Sequence, residues 1–140
     1  MEHIDGFNLS DLIKLQAEKG ALFKENQIWT VVISLCGVLK YLHQEKSVIH
    51  RDLSPSNILI DRTFRVKLAD FGLAKKITQS SSNLKAFVGT LNYTSPEVVE
   101  NKPYTEKADI WSLGCLVYEM ITLKAPFYSP SPLLLAKKVT

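Results

Sequence analysis

The sequence predicts a mainly α-helical fold with one small β-hairpin, on two observations. Apolar residues recur at helical spacing over residues 27–45 and 109–123, long enough for helices that carry a core. Between them, Ile58-Leu59-Ile60 and Val66-Lys67-Leu68-Ala69 flank the polar connection Asp61-Arg62-Thr63-Phe64, as two short strands joined by a turn would. With 140 residues and 46% apolar content, the chain is sized and composed for one globular domain.

The elements follow in order. No leader sequence is expected at residues 1–7. A first helix begins within Asn8-Leu9-Ser10-Asp11, with Ser10 as the expected cap, Leu12, Ile13 and Leu15 as its apolar face, and Gly20 as its end. The second helix, 27–45, carries Ile28, Val31, Val32, Leu35, Val38, Leu39 and Leu42 as a core stripe. Residues 73–94 show little periodicity and are most polar at Gln79-Ser80-Ser81-Ser82-Asn83; a segment of that length inside a compact domain usually serves function. A third helix is expected over 104–123. From Ile110 to Ile121 it is apolar nearly all round, which predicts burial. Asp109 stands at its start, and a buried carboxylate there needs partners. Pro126, Pro130 and Pro132 end that helix, and 133–139 begins another.

Bulk properties exclude several functions. The net charge of +3 comes from scattered lysines and arginines, so no nucleic-acid footprint is expected. No apolar run approaches 18 residues, so no membrane span is expected. Cys36 and Cys115 lie in apolar helical patterns without metal-ligand spacing, which predicts two buried free thiols and a reducing, intracellular setting.

The chemistry concentrates in residues 48–72. One polar cluster is His50-Arg51-Asp52-Leu53-Ser54-Pro55-Ser56-Asn57, and a second is Asp70-Phe71-Gly72. The hairpin between them would draw Asp52, Asn57 and Asp70 together. Two carboxylates and an amide converging this way suit an oxygen-liganded divalent cation with a base beside it, and magnesium commonly takes one or two carboxylates plus phosphate oxygens. Taken singly, Asp52 and Asp70 would be ordinary turn carboxylates.

These residues resemble the eukaryotic protein kinases. His50-Arg51-Asp52-Leu53 followed by Asn57 matches the kinase catalytic loop, and Asp70-Phe71-Gly72 matches its metal-binding triplet. Gly89-Thr90-Leu91-Asn92-Tyr93-Thr94-Ser95-Pro96-Glu97 resembles the segment that ends in Ala-Pro-Glu, and Asp109-Ile110-Trp111-Ser112-Leu113-Gly114 resembles the buried helix after it. Residues 115–127 look most like the NIMA-related serine/threonine kinases, of which this chain would be a divergent member.

The resemblance implies a kinase-like lower lobe over residues 1–140, within an α+β parent fold, and ATP-dependent phosphoryl transfer to serine or threonine of a protein substrate. Asp52 would orient or deprotonate the hydroxyl, and Asn57 and Asp70 would hold Mg2+ against the phosphates. Leu59 would floor the adenine, with the Glu2 carbonyl and Ile4 amide gripping its edge. His50, Phe71 and Gly72 would be structural, His50 and Phe71 as packing residues. Asp109 would hold the catalytic-loop backbone. Arg51 would receive an activation-loop phosphate, and a regulatory protein partner fits such a switch. The position that NIMA-related kinases commonly phosphorylate, three before the Gly-Thr, is Ala86 here, which leaves Thr78, Ser80, Ser81, Ser82 and Thr90. The expected location is the cytoplasm, with cytoskeletal or nuclear association as alternatives.

Three departures qualify this picture. Ser54 stands where serine/threonine kinases usually carry a lysine facing the transferred phosphate. The 140 residues lack the glycine-rich loop, the strand lysine and its glutamate partner. They also lack the final helices, with the arginine that normally pairs with Glu97. The chain alone is therefore expected to be inactive and marginally stable. The alternative is a non-catalytic, pseudokinase-like interaction module. A small-molecule kinase would lack the peptide platform seen at residues 89–97.

Overall fold

The computed structural model describes residues 6–72, 74–76 and 91–140. The fold is mainly helical, as the periodicity predicts. A short strand β1 (Gly6–Asn8) leads directly into α1 (Leu9–Glu18). The cap is Asn8, not Ser10. Asn8 has extended backbone (φ −75°, ψ 156°), and its Oδ1 accepts from the Asp11 amide at 2.8 Å, whereas Ser10 already lies inside the helix. The helix ends before Gly20, whose φ of +62° turns the chain away.

Helix α2 (Glu25–Lys40) starts earlier than the apolar stripe suggests. The Lys24 amide donates to Gln27 Oε1 at 2.9 Å and fixes the first turn. The helix then widens into one π-helical turn, Tyr41–Glu45. Val31, Leu35 and Leu39 form its buried stripe. Cys36 lies off that stripe and is exposed, contrary to expectation, while Cys115 is buried.

The hairpin forms as β3 (Ile58–Asp61) and β4 (Val66–Leu68), with Ile58 opposite Leu68 and Ile60 opposite Val66. Asp61 organises its turn by accepting from the Thr63 and Arg65 amides at 2.8 and 3.0 Å. Beyond what the sequence suggested, β1 pairs antiparallel with β3 and makes a three-stranded sheet in the order β1-β3-β4. A second pair joins β2 (Val48–Ile49) to β5 (Lys75–Lys76).

After α3 (Pro96–Val99) comes α4 (Lys107–Thr122), shorter than the 104–123 expected. It ends where Leu123 enters the left-handed region at φ +58°. Its burial is one-sided. Leu113, Leu116 and Met120 pack toward α2 in the core, but Ile110, Tyr118 and Ile121 are about half exposed. An all-apolar helix can serve two faces, so composition alone overstated its burial here. Trp111 stacks on Phe127 at 5.7 Å, and α5 (Pro132–Val139) closes the described chain.

The core joins Leu9 and Ile13 of α1, the α2 stripe, Ile58 and Ile60 of β3, Leu53, and the inner face of α4. Alternation along β3 sends Ile58 and Ile60 inward and leaves Leu59, half-buried, on the opposite face.

The attachment of β1 is sterically exacting. A Cβ on Gly6 would collide with the Ile60 carbonyl. Gly6→Ala should therefore separate β1 from β3, and overpacking of this kind costs about 1–3 kcal/mol. Hydrogen exchange should show lost protection in 6–8 and retained protection at Leu35 and Leu39. Unchanged protection in β1 would contradict the pairing.

Candidate active site

The site is assembled on Asp109, which is 1% exposed in the first turn of α4. Its Oδ2 accepts from the His50 amide at 2.9 Å and from His43 Nε2 at 2.7 Å, and its Oδ1 accepts from the Arg51 amide at 2.9 Å. Two consecutive amides, of His50 and Arg51, are thus held from below by one carboxylate. They need that hold, because Arg51 has φ +72°, and a bulky side chain in the left-handed region costs about 1–3 kcal/mol unless its surroundings fix it.

His50 is fully buried and faces two ways. Its Nδ1 accepts from the Asp52 amide at 3.4 Å, and its Nε2 lies 3.3 Å from the Ala69 carbonyl. A proton on Nε2 satisfies both contacts. The ring also meets Phe71 edge-on at 5.0 Å. His50 therefore ties the loop at 50–52 to the strand end at 69–71.

The hairpin makes the second tie. The Ala69 amide donates to the Asn57 carbonyl at 2.8 Å, one step beyond the β3–β4 ladder. The Asn57 Nδ2 donates to both the main-chain oxygen and the Oδ2 of Asp52, each at 2.8 Å. Asp52 and Asn57 are in direct contact, and Ala69, the residue before Asp70, is bonded to Asn57. Asp70 is exposed at φ +56°, and its Oδ1 accepts from the Gly72 amide at 3.0 Å.

The donor set fits magnesium. With its amide nitrogen committed to Asp52, Asn57 presents Oδ1, and Asp70 presents an exposed carboxylate; both are hard oxygen donors. Among the described residues, no group of three His, Cys, Asp or Glu side chains could hold a metal by itself. A cation here would need further oxygens, which nucleotide phosphates supply.

Other expected residues fall differently. Phe71 meets the His50 ring and is otherwise 48% exposed. Ser54 is buried, with its hydroxyl 2.9 Å from that of Ser56, so it does not present an open polar face toward a cleft. Leu59 lies between Asn8 and Lys67 on the outer side of β3. Glu97 sits half-buried in α3. Glu2, Ile4, Thr78, Ser80, Ser81, Ser82 and Thr90 lie outside the described residues.

Further contacts around the site were not read from the sequence. His43 supports Asp109 from α2's π turn. The Tyr104 hydroxyl hydrogen-bonds the Arg51 guanidinium; burial raises its pKa, and the arginine's charge works against that. Tyr93 donates to Glu119, while Ser112 Oγ donates to the Tyr93 carbonyl at 2.7 Å, so the segment before Ser-Pro-Glu is pinned to α4. Glu119, the one acidic residue in the apolar run 110–121, was the available signal. Burial raises its carboxyl above the ordinary range, with the Tyr93 bond opposing.

A family profile described as "Protein kinase domain" matches residues 1–138. The chain belongs to the protein kinase family. It is 46% identical over 139 residues to human serine/threonine-protein kinase Nek10 and 46% identical to the Caenorhabditis elegans serine/threonine-protein kinase D1044.8, each match covering 99% of this chain. It is 40% identical over 141 residues to the probable serine/threonine-protein kinase nek2 of Dictyostelium discoideum. The chain spans 12%, 14% and 34% of those proteins' lengths, respectively. The likeness to NIMA-related kinases read from residues 115–127 thus holds along the whole chain.

Because the folded pKa of Glu119 lies above its ordinary value of 4.5, the folded state binds the proton more tightly than the unfolded chain. Its contribution to stability is full below about 4.5 and is lost as pH rises through the folded value. Glu119→Gln keeps an acceptor for Tyr93 without the ionisation. Relative to wild type, its stability should improve from pH 4.5 to pH 7 in denaturant titrations. A difference independent of pH would contradict the burial account.

Proposed function

We propose that residues 1–140 form the lower part of a serine/threonine protein kinase domain and carry its phosphoryl-transfer site. The supporting observation is the pair of hydrogen bonds from the Asn57 amide to Asp52, which sets a carboxylate beside the Asn57 side chain on a loop clamped by Asp109. Phosphoryl transfer asks little covalent work of a protein; it asks for position, charge neutralisation and a group that takes the hydroxyl proton.

Each residue has a task in this scheme. Asp52 receives or orients the substrate hydroxyl proton. Asn57 and Asp70 would hold Mg2+, which would supply neutralisation of the phosphate charge. Leu59, on the outer face of β3, offers the apolar surface under adenine, and Glu2 and Ile4 the main-chain groups at its edge. The Tyr93–Glu119 bond steadies the platform on which a peptide lies. Arg51 binds a phosphate placed on Thr78, Ser80, Ser81, Ser82 or Thr90, exchanging the Tyr104 hydroxyl for a charged partner. The protein substrate and any regulatory partner belong to the longer kinase domain that the family implies, as does the glycine-rich cover over ATP. No described helix is long and apolar enough to cross a membrane.

Ser54 bears on rate. Its burial means that Ser54→Lys would trade a packed hydroxyl for a charge, so a gain in transfer requires the new side chain to leave that packing.

In a protein carrying the whole kinase domain, Asp52→Asn should reduce peptide phosphorylation by about 100-fold or more, the usual scale of a lost acid–base group, with nucleotide binding near wild type. Asp70→Asn should also weaken binding of magnesium with ATP. Labelled-ATP transfer and nucleotide titration measure the two. Normal phosphorylation by both variants would leave a non-catalytic interaction module as the better account.

A further inference from the structure

The segment that joins α3 to α4 carries a tyrosine against Arg51. It is fixed at both ends. The Lys102 amide donates to the Glu97 carbonyl at 2.8 Å behind α3, and the Ala108 amide donates to the Thr105 carbonyl at 3.1 Å in the first turn of α4. Between those bonds, residues 102–105 form neither helix nor strand. Lys102, Pro103 and Thr105 are exposed, whereas Tyr104 is half-buried. Its hydroxyl meets the Arg51 guanidinium, with the Asp109 carboxylate nearby. A neutral phenol is a modest partner for that cation. A phosphate carries close to two negative charges and three acceptor oxygens, which a planar guanidinium meets with two parallel N–H donors. Half-burial penalises any added charge, and a bonded guanidinium offsets that penalty. Asp109 opposes a second anion, but its oxygens already accept from two amides and an imidazole, and at the phenol the charge of Arg51 outweighs it.

We propose that Tyr104 is a phosphorylation site, modified by a tyrosine-directed protein kinase, and that its phosphate pairs with Arg51 and fixes the loop at His50 and Arg51 from the side-chain end. In the transfer, a bond forms between the Tyr104 oxygen and the γ-phosphorus of ATP. The bond from that phosphorus to the bridging oxygen breaks, ADP leaves, and the phenol proton passes to the modifying kinase's base. Residues 102–105 swing outward to present the hydroxyl, which their lack of helix or ladder bonds permits. On return, Arg51 withdraws along its flexible side chain to admit the larger group. Asp109 then holds Arg51 by its amide, and the phosphate holds it by its guanidinium. For a residue at φ +72°, the second anchor removes freedom that the first leaves. A phosphate on Tyr104 also claims the guanidinium that one on Thr78, Ser80, Ser81, Ser82 or Thr90 would use, so the two are alternatives. The consequence for Asp52 rests on the kinase reading above; the modification and the pairing do not.

The test uses a protein carrying the whole kinase domain in an Asp52→Asn background, so that its own transfer plays no part. Incubation with a broad-specificity tyrosine kinase and ATP should label Tyr104 in the folded protein, mapped by mass spectrometry, and Tyr104→Phe should lose that label. With phosphotyrosine installed at position 104 by genetic encoding, a tyrosine phosphatase should remove the phosphate about tenfold more slowly than it does in Arg51→Gln, the scale of a lost charge-assisted bond. Arg51→Lys, which keeps the charge without the fork, should fall between. The amides of His50 and Arg51 should exchange about tenfold more slowly with the phosphate than without it, while Leu35 and Leu39 stay unchanged. Labelling of Tyr104 only after denaturation would overturn the site. Equal dephosphorylation with and without Arg51, or exchange at His50 and Arg51 unmoved by the phosphate, would overturn the pairing. Because this protein catalyses none of these steps, the outcomes stand apart from the Asp52→Asn transfer assay.

Discussion

One buried carboxylate organises the site. Asp109 accepts three hydrogen bonds, from two successive amides and one imidazole, and lies almost wholly out of water. A buried ion is tolerated only when such partners replace its hydration. The arrangement is reciprocal. The loop at His50 and Arg51 compensates the burial of Asp109, and Asp109 compensates the left-handed backbone of Arg51. Neither would persist alone.

From that clamp the remaining geometry follows by short links. His50 reaches Ala69 and Phe71, Asn57 reaches Asp52, and the Asn57 carbonyl takes the Ala69 amide. The β3–β4 hairpin brings positions 57 and 69 together, and its inward residues Ile58 and Ile60 seat it on the core beneath. Helix α4 serves twice. Its first turn supplies Asp109, and Glu119, near its last turn, anchors Tyr93 and the platform before Ser-Pro-Glu. The two ends of α4 thus fix the loop at His50 and Arg51 relative to the segment at Tyr93.

Much of this was legible in the sequence because the signals were local. Alternating Ile58 and Ile60 with a polar turn marks a hairpin, and the stripe through Val31, Leu35 and Leu39 marks a core helix. The order of Asp52, Asn57 and Asp70 along that hairpin suggested convergence, and a lone aspartate heading an apolar helix suggested a buried partner. What the sequence did not disclose depends on distant contacts. Gly6 is a third strand only because β3 has an open edge that accepts it. His43 lies 66 positions from Asp109, and nothing in its neighbours marks the pairing. Cys36 and Ile110 sit in apolar runs yet are exposed, since which face of such a helix is covered is a property of its neighbours and not of its composition. Asn8 displaced Ser10 as the cap because capping depends on backbone entering in extended form, which either residue could have done.

The central claim is that Asp109 holds the loop at His50 and Arg51, and amide exchange in Asp109→Asn tests it most directly. An asparagine offers one acceptor oxygen and turns an NH2 group toward donors. The amides of His50 and Arg51 should then exchange at least about tenfold faster relative to Leu35 and Leu39, with a global loss of about 1–3 kcal/mol, the scale of a buried donor left unpaired. If the exchange of His50 and Arg51 changes only in step with Leu35 and Leu39, the loop is held by something other than Asp109.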